Sequence, residues 1–567
     1  MRLFRRAGLV VLAAAVVAVT GAVPGAGHEG HAGSAHPYWQ RTAALARSAA
    51  ALPSGAVAVQ AAVAEPPLVP TPQGPCGPGS KPEPGMQGRV SAADVEAGRV
   101  ADGYRCNVEM IAHTGVAGGY KVERFVDKAG NECAYYDTTL LFPSNAANLS
   151  EQPTGVHVLD MSDPSNPRRT AALQTPAMQS PHESLVLNSR RGLLAAVMGN
   201  PIFAPGHVDV YDLNADCRNP ALLSSTPVGL LGHESGFAPD GNTFYAASLG
   251  GGTLTAVDVS DPAVPKPIHV GRFDTHSLSL SDDGNTAYLA ASPGFPRNEL
   301  GLPTDFAGLL IVDVSQIQSR EPLPQTSLIG AVTWDSVTIP QNTIPVTIDG
   351  HAYIVETDEF ALTEDGKFRG NAPVVGAARI IDIDDPTMPR VVSNMRLEVH
   401  QPENREALAG DPGATSSVQG YAGHYCNVPQ REDPAIVACS FINSGLRVFD
   451  ITDPLAPKEV AYFVPPLQPG DSSYAMSSPV LIPERSEIWY SDGNSGFYVL
   501  RLTNDVWPGG GTPDDDPGTD PDAGADPDDD GRDDADEPAL PATGGGAPVL
   551  VGLALLGIAL AFRTRRG

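Results

Sequence analysis

A seven-bladed all-β ring is the fold class this sequence predicts, and three observations predict it. One strand-and-turn phrase is written seven times. A hairpin with an Asp-Gly-Asn turn precedes several of the copies. The copies recur at intervals of roughly 46 to 69 residues, the size of one supersecondary unit and too short for a domain.

The phrase is cleanest at Gly445-Leu446-Arg447-Val448-Phe449-Asp450-Ile451-Thr452-Asp453-Pro454. Close copies open at Gly155, Gly252 and Gly376, and looser ones run through Val208–Leu213 and Leu309–Ser315. The last, Gly496–Leu502, has Arg501 where the others have Asp. Five or six apolar residues without polar alternation read as a strand buried on both faces. The Asp accepts from the backbone of the following turn, and Asp-Pro ends the strand because Pro cannot donate to a ladder. Upstream, Ala238–Ala247 and Ser281–Ala290 read as a strand, an Asp-Gly-Asn turn and an aromatic-bearing strand. Hairpin, phrase and a variable outer strand make about four strands, which is one propeller blade.

These phrases resemble the LVIVD repeat of bacterial surface β-propellers, over roughly residues 104 to 502. The resemblance implies a toroid whose channel and loops are open to ligands.

Taken in order, the chain begins with Arg2, Arg5 and Arg6, then an apolar run from Ala7 to Val19 and small residues through Gly27. That is a secretory signal over residues 1–27, cleaved within 22–27. Residues 28–103 read as an N-terminal helical and linker segment. It opens with His28, His31 and His36, has an Ala-rich stretch at 38–62, and is Pro/Gly-rich from Pro66 to Pro84. Ser91 caps a short helix ahead of the blades.

The first blade reads as a hairpin of residues 103–108 and 132–136, matched in the sixth by 423–428 and 437–441. Each hairpin holds two cysteines, so Cys106–Cys133 and Cys426–Cys439 are expected as cross-strand disulfides. Cys76 and Cys217 are left to pair or stay free. Six cysteines without zinc-finger spacing suit an exported chain. Two stretches exceed what a blade needs, Gln316–Asp349 and Leu397–Gln419. They read either as functional loops or as covers packed on a neighbouring blade.

Residues 503–539 form a stalk of Asp, Pro and Gly that cannot bury a core and is expected to be disordered and extended. It carries much of the net charge of −30, which excludes nucleic acid as a natural partner. Asp526, Asp528, Asp530 and Glu537 match the spacing of a calcium loop, and also resemble thrombospondin type 3 calcium repeats. Diffuse counter-ion binding is the competing reading of so acidic a stretch.

Residues 540–567 begin Leu540-Pro541-Ala542-Thr543-Gly544, continue in an apolar run from Ala547 to Phe562, and end in Arg563, Arg565 and Arg566. This order resembles the sorting signal read by sortases of Gram-positive bacteria. The resemblance implies cleavage after Thr543, linkage to peptidoglycan, and a transmembrane tail that holds the chain only before sorting. The apolar run is about long enough to span a bilayer, with the arginines cytoplasmic.

Two functions compete. The first is a cell-wall-anchored binding scaffold for an extracellular ligand. The second is a metal-dependent enzyme, for which the candidates are His182, Glu183, His233, Glu234, His276 and His424. All six stand at the start of inner strands, so rotational near-symmetry brings them to one mouth of the channel. Imidazole and carboxylate suit a divalent metal, with Glu183 or Glu234 as a base toward bound water. Selenium-binding proteins and methanethiol oxidases, which this arrangement resembles only locally, also carry channel histidines. The structural alternative is that these histidines hydrogen-bond neighbouring blades and rigidify the ring. No nucleophile elbow, P-loop or dinucleotide fingerprint is visible.

Overall fold

The computed structural model describes residues 65–138, 153–199, 206–229, 232–248, 253–271, 275–292, 306–363, 367–416 and 419–509. The secretory segment, N-terminal histidines, stalk, calcium-type loop, sorting signal and apolar tail lie outside the described residues. Among the described residues, no helix is long and apolar enough to cross a membrane.

Seven antiparallel sheets form seven blades. In each, the repeat phrase is the third strand: Val156–Asp160, Val208–Asp212, Thr253–Asp258, Gly308–Asp313, Ala378–Asp382, Gly445–Asp450 and Gly496–Leu502. These strands are buried almost throughout because both faces of every blade pack on a neighbour. Seven apolar clusters fill the gaps between successive blades. The one joining last blade to first sets Ile482, Trp489 and Phe497 against Val122, Ala134 and Leu159.

The phrase explains its own geometry. Asp160, Asp212, Asp258, Asp313, Asp382 and Asp450 each accept from the backbone N–H two residues on, which turns the chain out of the strand. A register shift interrupts the pairing of the phrase with the fourth strand in all seven blades. Such bulges increase twist, as fits strands at the rim of a fanned sheet. The opening glycine is required where the outer strand crosses it. A Cβ on Gly445 would lie 2.2 Å from Phe463 O, and Gly445 has φ +76.

Several expectations are corrected. The residues around Cys106 do not open the first blade. Tyr104–Cys106 adds a fifth strand to the outside of blade 6. The ring is closed by Val108–Thr114, which pairs with Gly496–Leu502 as the outer strand of blade 7. The expected short helix is Ala92–Glu96, capped by Ser91. Closure removes a free edge from the last blade.

Cys106 and Cys133 therefore lie in different blades and do not bond. The pairs are Cys76–Cys106, Cys133–Cys217 and Cys426–Cys439, so only the last expected bond is present. Cys133 does sit in a blade-1 hairpin, but opposite Phe125. Residues 66–84 are a strap laid on the ring. Thr71 and Gly74 donate to Arg396 O and Glu459 O, and Lys81 exchanges backbone bonds with Arg105. Gln316–Asp349 is no excess loop, since it holds Ser327–Val332 and all of Ile339–Ile348, strands of blades 4 and 5. Within the expected loop Leu397–Gln419, the described residues 397–416 fold as short helical turns packed beside blade 6, with Val399, His400 and Leu408 fully buried.

Candidate functional site at the channel axis

Four connections into inner strands converge on the axis. Pro181 leads a single 3₁₀ turn, His182–Ser184, before the blade-2 strand Val186–Asn188. His182 has φ +51, an uncommon conformation for a side-chain-bearing residue, and packs on Gly199, where a Cβ would lie 2.3 Å from its own. His233 and Glu234 precede Gly236–Phe237 of blade 3, His276 precedes Ser277–Leu280 of blade 4, and His424 precedes Tyr425–Asn427 of blade 6. All six predicted candidates are buried there.

Glu183 is the hub. Its Oε2 lies 2.9 Å from His233 Nδ1 and accepts from Gln341 Nε2 at 2.7 Å. Its Oε1 lies 3.4 Å from His424 Nε2. His276 Nε2 is 3.9 Å from Glu183 Oε2. A second carboxylate, Glu359, closes the other side, with Oε1 at 3.4 Å from His276 Nε2 and Oε2 at 3.6 Å from His424 Nε2. Gln419 Nε2 donates to Glu359 Oε2 at 3.3 Å. His182 Nε2 and His233 Nε2 are 3.1 Å apart, so one donates to the other. Tyr120 from blade 1 packs its ring on His182 and His424.

Backbone carbonyls set two tautomers. His276 Nδ1 donates to Pro340 O at 2.8 Å, and His424 Nδ1 donates to Met476 O at 2.7 Å. A carbonyl can only accept, so each Nδ1 carries a hydrogen and each Nε2 edge faces the two carboxylates.

Glu234 is placed differently from Glu183. Lys121 Nζ holds its Oε1 at 2.5 Å, and the same ammonium sits 4.1 Å above the Tyr425 ring. Burial raises the Glu234 carboxyl above its usual range, with Lys121 opposing. Burial also pushes the Tyr425 hydroxyl well up, helped by Glu183. This layer borders a cavity of about 420 Å³, lined by Glu123, Asn188, Asn342, Asn427 and Arg431 among others. Its walls come from the inner strands, so it is the central channel.

Sequence reasoning found the histidines and Glu183 but missed Glu359, Gln341, Lys121 and Gln419. Blade 5 has no histidine before its inner strand and supplies Gln341 and Glu359 instead. A signal for Glu359 was present. Glu356, Asp358 and Glu359 crowd the end of a strand that the repeat requires to be buried, and all three are 0% exposed. Glu356 and Asp358 are answered by Arg379, whereas Glu359 faces the histidines. The group can hold a cation between imidazole and carboxylate, or simply bond the blades together.

The LVIVD repeat family model matches residues 241–275. That match contains the blade-3 phrase and its outer strand. No curated protein matches the chain. Among solved structures, hydrazine synthase of Kuenenia stuttgartiensis is similar at 12% identity and TM-score 0.43, over 69% of this chain and 97% of that one. The β-propeller domain of Cps50 (Swd1) of Myceliophteria thermophila is similar at 12% identity and TM-score 0.42, over 70% of this chain and 100% of that one.

Proposed function

We propose that this seven-bladed β-propeller with its LVIVD repeat is an exported protein of a Gram-positive cell surface. It is joined to peptidoglycan through Thr543 and acts as an extracellular binding scaffold. The observation that carries this reading is the order at the C-terminus: Leu540–Gly544, an apolar run, then a cluster of arginines. Apolar residues hold the chain in the bilayer, the arginines stay inside, and a sortase reaches the pentapeptide outside. Three disulfides using all six cysteines support an oxidising, extracytoplasmic setting. A ring closed by its own N-terminal strand and cross-linked at three places suits a rigid platform. The Asp-rich stalk repels itself and lifts that platform from the wall, with calcium as its counter-ion.

The test is cell fractionation of wild type beside Thr543→Ala. Wall-digesting enzymes should release the wild type, and the variant should stay with membranes or escape to the medium. Extraction of the wild type by detergent alone removes the anchoring reading.

A further inference from the structure

We infer that the central channel is a binding site for a small hydroxyl-bearing primary amine, of the class of an amino sugar, and that Glu123 receives its ammonium group. This deepens the binding-scaffold reading and rests on it for the kind of activity, but not on where the protein is displayed.

Charge pairing along the wall carries the inference. The ionisable side chains that line the cavity of about 420 Å³ are Lys121, Glu123, Glu234 and Arg431. Lys121 Nζ lies 2.5 Å from Glu234 Oε1, and Arg431 Nη1 lies 2.9 Å from Asp282 Oδ1. Glu123 is left over. Among the described residues its carboxyl makes neither a hydrogen bond nor an ion pair. Residue 121 leads into the blade-1 strand Val122–Val126, so Lys121 and Glu123 point to the same face of that strand. The Lys121 ammonium is nonetheless engaged, by Glu234 and by the Tyr425 ring.

Glu123 keeps part of its surface accessible although the blades surround it, which is the position of a group facing a channel. Burial raises its carboxyl to about 8, with Lys121 opposing and Glu234 adding to the rise. A cationic group beside Glu123 would ionise it and complete the pairing of the wall. One spare carboxylate matches one positive charge.

The neutral polar groups set the body of the ligand. Asn342 Oδ1 accepts from the Cys426 N–H at 3.3 Å, while its Nδ2 donates to no described residue. Ser235 Oγ donates to His233 O at 3.1 Å and keeps its lone pairs. Ligand hydroxyls can accept from the first and donate to the second. A volume of about 420 Å³ lies toward the small end of small-molecule sites, about 300–1,000 Å³, and suits a molecule of monosaccharide size.

The experiment is titration calorimetry on the purified full-length chain at pH 7 and low ionic strength, with glucosamine, glucose and N-acetylglucosamine as probes. These sugars share one ring and differ at a single carbon, which bears an ammonium, a hydroxyl or an uncharged amide. Glucosamine should bind at one per chain. The two uncharged sugars should bind about 10–100-fold more weakly, the usual worth of a hydrogen bond to a charged group. Glu123→Gln keeps the shape, removes the charge and should weaken glucosamine by the same factor. The comparison among sugars needs no variant to fold. The inference is overturned if glucosamine does not bind, if either uncharged sugar binds as tightly, or if Glu123→Gln keeps the wild-type affinity. Fractionation of Thr543→Ala reads anchoring alone, so failure of one reading is distinguishable from failure of the other.

Discussion

Arg447 Nη2 donates to Glu83 Oε2 at 2.7 Å, joining residues 364 apart in sequence. The guanidinium is wholly buried, lies 4.4 Å from the Tyr462 ring centre, and also meets Glu459. The third strand of blade 6 thereby grips the strap that precedes the ring. Arg379 of blade 5 repeats the arrangement against the Trp334 ring, with Glu65 near its Nε. Without the Glu83 charge, Arg447 keeps only Glu459 as its carboxylate partner. Glu83→Gln should cost about 1.5–3 kcal/mol in urea unfolding and free the strap to proteases. Unchanged unfolding with an intact strap would refute this.

Two disulfides staple parts of the chain that the blades alone do not hold together. Cys76–Cys106 ties the strap to the fifth strand of blade 6, and Cys133–Cys217 ties blade 1 to the turn after the blade-2 phrase. Non-reducing peptide mapping should recover both together with Cys426–Cys439. Cys217→Ser should lower stability by about 2–4 kcal/mol. Recovery of a Cys106–Cys133 peptide would contradict the blade assignment.

Asp137 should make the ring less stable as pH rises from about 4 to 7. Burial lifts its carboxyl to about 7, against the backbone N–H groups of Tyr120 and Lys121 that it accepts. The unfolded chain releases this proton near pH 4, while the folded chain keeps it. Stabilisation is therefore complete below about pH 4 and is lost as pH climbs to the folded value, by up to about 4 kcal/mol. Asp137→Asn should flatten that part of the profile in chemical denaturation between pH 4 and 8. Parallel profiles for both proteins would exclude Asp137 as the cause.

Deleting residues up to 115 should open the ring at blade 7. The strand Gly496–Leu502 would then present a bare edge. Size-exclusion chromatography should show association of this truncated chain and a monomer for the intact one. A monomeric, equally stable truncation would mean that closure does not depend on Val108–Thr114.

Much of this protein is local in its sequence. Each phrase carries its own strand, its glycine, its Asp-capped turn and its Pro, so blade number and strand order follow from contacts a few residues long. Histidines at equivalent positions converge because a ring superimposes equivalent positions on its axis. Pairings across the ring left no such trace. Cys106 resembled Cys426 in its local phrase, Cys-Asn-Val three residues after a Gly, yet its strand and the next one pass to different blades, which only closure of the ring decides. Glu359 and Gln341 reach the axis because blade 5 departs from the repeat, and a residue outside the repeat has no equivalent position from which to be inferred. The strap shows the same limit. Glu65 and Glu83 stand in an unpatterned Pro- and Gly-containing stretch, and what binds them is two arginines hundreds of residues away, buried only once the blades have packed.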